Sequence, residues 1–189
     1  MSKLSVVGFV GVALLVVSCQ DDRAPTAISD HAIQLSSSHG GGDALFEFEE
    51  LVGVPRPFTG GGGNAIRGVD GGGLPWAIDE GEARLDEDGE LEAKVEGLVI
   101  DPNDPVAISL GLAGINPVGA FRAILSCLTV DASGNAATVN LATATAPATT
   151  GLGAGDAEIE ETLTPPNPCI APILFVTSPG GSWFAASGF

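Results

Sequence analysis

The sequence predicts an all-β protein, folded as an antiparallel β-sandwich of about eight to ten strands. Three observations predict it. The 189 residues include 27 Gly and 13 Pro, with many Val, Thr and Ala, and no stretch carries the period of a long amphipathic helix. Short segments alternate apolar and charged residues at period two. Clusters of Gly, Pro, Asp and Asn separate those segments, as turns separate strands. At 44% hydrophobic residues the chain has the material for a packed core, and the part from 44 to 189 suits one core rather than two.

The chain opens differently. Leu4 to Val17 is apolar apart from Ser5 and follows Lys3, the pattern of a positive n-region and an h-region in an export signal. A spanning helix needs about 20 apolar residues, and Asp21 and Asp22 forbid an extension. The run closes on Val16-Val17-Ser18-Cys19, which resembles the lipobox of bacterial lipoproteins, where the cysteine is lipidated and becomes the first mature residue. The resemblance implies a lipoprotein signal peptide at 1–18, a lipid on Cys19, and export to the bacterial envelope with the folded domain outside the cytoplasm. Two or more lipid chains hold a protein stably at a bilayer, so the membrane is a partner through Cys19. An ordinary cleaved signal peptide and an uncleaved anchor are the alternatives. With Cys19 assigned to lipid, Cys127 and Cys169 remain as a pair in an oxidising compartment, and one disulfide is expected between them. Two free buried thiols are the other reading.

Residues 19–43 are polar and rich in Ser, Gly and Asp, and read as a flexible tether. His31 and His39 sit in it as solvated side chains. Phe46 and Phe48 alternate with Glu47 and Glu49, a strand with one wet face. Val54-Pro55-Arg56-Pro57 breaks a ladder or confines it to a sheet edge. The glycine clusters Gly60–Gly63 and Gly71–Gly73 read as long, mobile loops; no Gly-Lys-Ser/Thr follows, so neither cradles phosphate.

Between Gly81 and Ile100 the register itself is readable. A two-residue turn at Asp88-Gly89 sets Leu85 opposite Glu92. A three-residue loop, Glu87-Asp88-Gly89, instead pairs Leu85 with Leu91 and Ala83 with Ala93, with Gly89 left-handed. The second is expected, because one face must be buried. Asp101-Pro102-Asn103-Asp104-Pro105 is a turn, and Val106–Leu110 reads as a short strand. Gly119–Val130 is nearly all apolar and should be a central strand covered on both faces, with Cys127 on the face of Phe121, Ala123 and Leu125. A strand from Ala137 to Thr145 follows. Ala157, Ile159 and Leu163 alternate with Glu158, Glu160 and Thr162, a strand with an acidic face. Ile173–Thr177 and Ser182–Ala186 close the domain as a hairpin around Ser178-Pro179-Gly180-Gly181, with Trp183 or Phe184 facing the core.

The segments Gly73-Leu74-Pro75-Trp76, Ala123-Ile124-Leu125-Ser126-Cys127 and Pro168-Cys169-Ile170-Ala171-Pro172-Ile173, with Ser178 to Phe184, resemble a group of small exported bacterial proteins of uncharacterised role. The resemblance spans 50–189. It implies a shared secreted domain with a similar cysteine pair, and carries over no activity or site.

A net charge of −17 repels phosphate, so nucleic-acid binding is excluded as a role. The predicted domain has no histidine, one lysine (Lys94) and no Gly-x-Ser-x-Gly elbow, which argues against nucleophile-and-base hydrolysis. Its acidic residues alternate along strands or sit in turns, where solvated charges belong, rather than as a catalytic pair. Gly151-Leu152-Gly153-Ala154-Gly155 lacks the spacing and the βαβ setting of a dinucleotide site. The remaining site candidate is a calcium ion held by Asp86, Asp88 and Glu90, or by Asp101, Asn103 and Asp104. Neither triplet matches an EF-hand loop. The expectation is therefore a lipid-anchored, non-enzymatic interaction module with no required cofactor, whose partner is an envelope protein or glycan. The alternative is a small-ligand or calcium-binding protein using the acidic turns and the Gly-rich loops around Trp76.

Overall fold

A computed structural model describes residues 43–60 and 64–187. The segment expected to be an export signal, Cys19, both histidines and the expected tether up to residue 42 lie outside the described residues. The first strands are β1 (Ala44–Phe48), β2 (Leu51–Gly53), β3 (Trp76–Ala77), β4 (Glu80–Asp86), β5 (Glu90–Glu96) and β6 (Val99–Ile100). A helix, α1 (Pro105–Leu110), is followed by β7 (Ile115–Asn116), β8 (Ala120–Val130), β9 (Ala136–Ala142) and β10 (Ala146–Pro147). The last are β11 (Gly151–Leu152), β12 (Ala157–Thr162), β13 (Ile170–Thr177) and β14 (Trp183–Ser187). Among the described residues nine strands are three residues or longer, within the predicted number.

They form an antiparallel sandwich. One sheet has the order β1-β4-β5-β12. The other runs β10-β8-β13-β14-β2, with β9 continuing along the edge of β8 that β10 also occupies. Two further ladders, β3–β6 and β7–β11, are two-stranded. Alternation along the strands sends Leu85, Leu91, Val95 and Ile159 of the first sheet, and Phe121, Leu125, Leu174 and Val176 of the second, into one core. The predicted hairpin register holds: Leu85 lies opposite Leu91, and Ala83 opposite Ala93. Gly89 takes φ +88°, the left-handed position that the three-residue loop requires. The Asp86 carboxylate seals that turn by accepting the Glu90 N–H at 2.9 Å.

β8 is the central strand, paired with β13 on one edge and β9 on the other. Around Ile124 and Ser126 its second face is covered by the segment between β2 and β3, whereas Leu128 and Val130, farther along the same face, are exposed against the expectation of full cover. Phe58 lies 6.1 Å from the Trp183 ring, and the Arg67 guanidinium donates to Ser126 O at 2.9 Å and to Ala171 O at 2.6 Å. The second glycine cluster belongs to this strap. Gly71 and Gly72 are buried, and a Cβ at Gly71 would sit 2.0 Å from Phe58 O. The expectation of a mobile loop fails there, because the glycines are what let two backbones meet. Gly61–Gly63 lie outside the described residues.

The Val106–Leu110 segment is a helix, not the expected strand. Asp104 caps it, accepting the N–H groups of Val106 at 3.0 Å and Ala107 at 2.9 Å. Pro105 supplies the fixed φ of a first helical residue, and Gly111 ends the helix at φ +69°. Cap, proline and terminal glycine outweigh the β-propensity of Val and Ile over so short a run.

Candidate interaction face

The outer face of the β1-β4-β5-β12 sheet is built from the residues that alternate with the core. Pairing places Glu82, Lys94 and Glu158 in one row across β4, β5 and β12. The next row is Glu47, Arg84, Glu92 and Glu160, contributed by all four strands. Glu80 and Glu96 face each other beyond the first row, and Glu90 lies opposite Thr162 beyond the second. Eight glutamates therefore surround two cations. A shallow depression of about 370 Å³ lies among Glu82, Arg84, Glu92, Lys94, Glu158 and Glu160. Lys94 pairs with Glu96 at 2.6 Å. That hydrogen bond and charge, reinforced by Glu80 and Glu82, hold the Lys94 ammonium above the usual lysine range. Its raised value makes the pairing stabilising at neutral pH and lost only as pH rises through the folded value, above about 10.4.

Such a face offers carboxylates to a cation-bearing surface, with low energy per contact because the groups are open to water and screened by salt. Flatness suits a macromolecule better than a small ligand, which needs a concave site. A second hollow, about 550 Å³, lies between the Glu87-Asp88-Gly89 turn and the Pro165-Pro166-Asn167-Pro168 loop.

The remaining sequence candidates separate cleanly. Cys127 and Cys169 form the expected disulfide, with an S–S distance of 2.04 Å. Asp86 is buried in its turn, while Asp88 and Glu90 are exposed. Asp101 accepts the Asn103 N–H at 2.8 Å, an Asx turn. Asp104 is only 5% exposed and receives the Arg56 guanidinium in a two-pronged pair, Nε to Oδ2 at 2.8 Å and an Nη to Oδ1 at 2.7 Å. Among the described residues no three His, Cys, Asp or Glu side chains converge to hold a metal ion. Trp76 is 6% exposed, stacked on Phe184 at 3.9 Å and edge-on to Phe121 at 6.5 Å. Gly72 packs against the Phe184 ring, so this region is filled core. Arg56 was not singled out as functional by sequence, since its partner is 48 positions away.

Burial pushes the Asp104 carboxyl up, and the N–H of Ala107, the Arg56 guanidinium and the N–H of Val106 together outweigh it, leaving it below the usual carboxylate range. A depressed carboxyl contributes stability above its unfolded pKa of about 3.9, and that share is lost as pH falls through the folded value. Asp104→Ala should lower the melting temperature at pH 7 by about 4 °C through loss of the cap and the ion pair. Asp104→Asn keeps a cap acceptor and should fall between the two. Melting curves taken from pH 7 down to pH 2 check this: the gap between wild type and Asp104→Asn must close below about pH 4, while the gap to Asp104→Ala narrows to the share of a neutral cap.

No protein-family model, no curated protein and no solved structure matches this chain.

Proposed function

We propose that the protein is a non-enzymatic interaction module, exported and held at the bacterial envelope by lipid on Cys19, that engages a basic protein surface through the outer face of the β1-β4-β5-β12 sheet. The observation that carries this reading is a sheet face, uncovered among the described residues, with eight glutamates around Arg84 and Lys94. An acidic field steers cationic partners and speeds their encounter, while two embedded cations give the face a pattern rather than a uniform charge. Lipidation adds a tether that keeps the module near envelope partners at high local concentration.

The test is cross-linking in the native envelope, comparing two variants of equal charge. In the first, Glu82, Glu92, Glu158 and Glu160 become Gln; in the second, Glu49, Glu50, Glu87 and Asp88 become Gln or Asn. The cross-linked species should vanish in the first and persist in the second, and should weaken as salt rises toward the molar range, where screening acts within about 3 Å. Equal loss in both variants would reduce the effect to net charge and remove the proposed face. Intact mass of the native protein, starting at a diacylated or triacylated Cys19, tests the anchor separately.

A further inference from the structure

We infer that the unpaired edge of β9 is a self-association site, where a second copy adds its own β9 antiparallel across a two-fold axis. The other edges of the two large sheets carry devices that discourage strand addition. β1 has a register irregularity and Glu47, and β12 carries Glu158, Glu160 and Glu161. β2 is three residues long and stops before Pro55, and β10 is two residues including Pro147. β9 has none of these. Its seven residues, Ala136-Ala137-Thr138-Val139-Asn140-Leu141-Ala142, contain no charge and no proline, and its pairing with β8 runs without a bulge.

The direction of its backbone groups follows from the bonds at its two ends. Asn135 O accepts from Asp131 N, and Thr143 N donates to Ala123 O, so odd-numbered residues point toward β8. The even ones, Ala136, Thr138, Asn140 and Ala142, therefore aim their N–H and C=O outward, and among the described residues these groups have no backbone partner. A two-fold axis beside Val139 sets Thr138 opposite Asn140 and Ala136 opposite Ala142 of the other copy. Every outward residue then falls in a hydrogen-bonded pair of the antiparallel ladder. On the other face Ala137 meets Leu141, small against large. The strand is self-complementary in this register, and the contact closes because each copy offers one such edge.

Charge favours the same occupant. The chain carries −17 overall, yet from Pro105 to Gly155 its only charged residues are Arg122 and Asp131. Two copies repel across the glutamate face and meet without that penalty along β9, which leaves the glutamate face open to a different partner.

Analytical ultracentrifugation of the full chain in density-matched detergent tests the inference. Wild type should show a reversible dimer at micromolar concentration. Ala136→Lys with Ala142→Lys places like charges opposite each other while lowering the net charge, and should weaken association at least about tenfold. Thr138→Pro removes an outward N–H without touching the β8 ladder and should do the same, with melting temperature nearly unchanged. Val52→Lys, on the β2 edge, should leave the dimer intact. A wild type that stays monomeric at about 300 µM, or a dimer that survives both β9 variants, overturns it.

Discussion

Replacing Cys127 and Cys169 together by alanine should remove about 4 kcal/mol of stability, the value expected from the chain-entropy account for a closed loop of this size. The bridged residues are 42 positions apart, so the unfolded chain regains a long loop when the bond is gone. Folded-state contacts compensate little. Cys169 precedes β13 on a loop whose first ladder pair, Ile170 with Leu128, is followed by a register break before Ile173 meets Ser126. Cys127 is fully buried on the core face of β8, and its truncation also leaves a small void. In melting temperature the loss corresponds to about 10 °C. Thermal and denaturant unfolding of the double variant, and of wild type with and without reductant, measure it. A drop of less than about 2 °C, or reduced wild type melting like the oxidised form, would mean the ladders alone hold β8 and β13 in place.

The disulfide also shows how far local reasoning reaches. Between Gly81 and Ile100 the register was legible because alternation, loop length and one left-handed glycine all demand the same pairing. The central place of β8 was legible because a long apolar strand needs cover, although what covers it was not, and the cover on its second face stops short of the exposed Leu128 and Val130. The strap through Arg67 and Gly71 is written in glycines that also suit a loop, and only the approach of Phe58 and Trp183 gives them a packing role. The helix at Pro105–Leu110 was signalled by Asp104, Pro105 and Gly111, and β-branched residues masked it. Alternating glutamates on β4, β5 and β12 were visible one strand at a time. Their assembly into one face depends on β12 pairing with β5, an arrangement set by tertiary packing across about 60 residues of chain.

That dependence makes the approach to β12 a sensitive point, and Gly155→Ala should cost about 2–5 kcal/mol. Gly155 has φ +106°, where an L side chain is strained. A Cβ there would also stand 2.1 Å from Leu98 O and 2.7 Å from Leu98 N, backbone atoms that cannot rotate aside. The site is fixed from both ends: Gly155 O accepts the Leu98 N–H at 3.2 Å, and its own N–H donates to Thr149 Oγ1 at 2.9 Å. Next to it, Asp156 accepts the Gly97 N–H at 2.9 Å. Moving this junction shifts the start of β12, and with it Glu158 and Glu160. Gly134→Ala is the matched control, since Gly134 has φ +83° but nothing within 4 Å of a built Cβ. It should cost only the backbone share, about 1–2 kcal/mol. Urea midpoints at unchanged slope give the comparison, and equal losses in the two variants would show that Leu98 yields and that the contact has no hold on the acidic face.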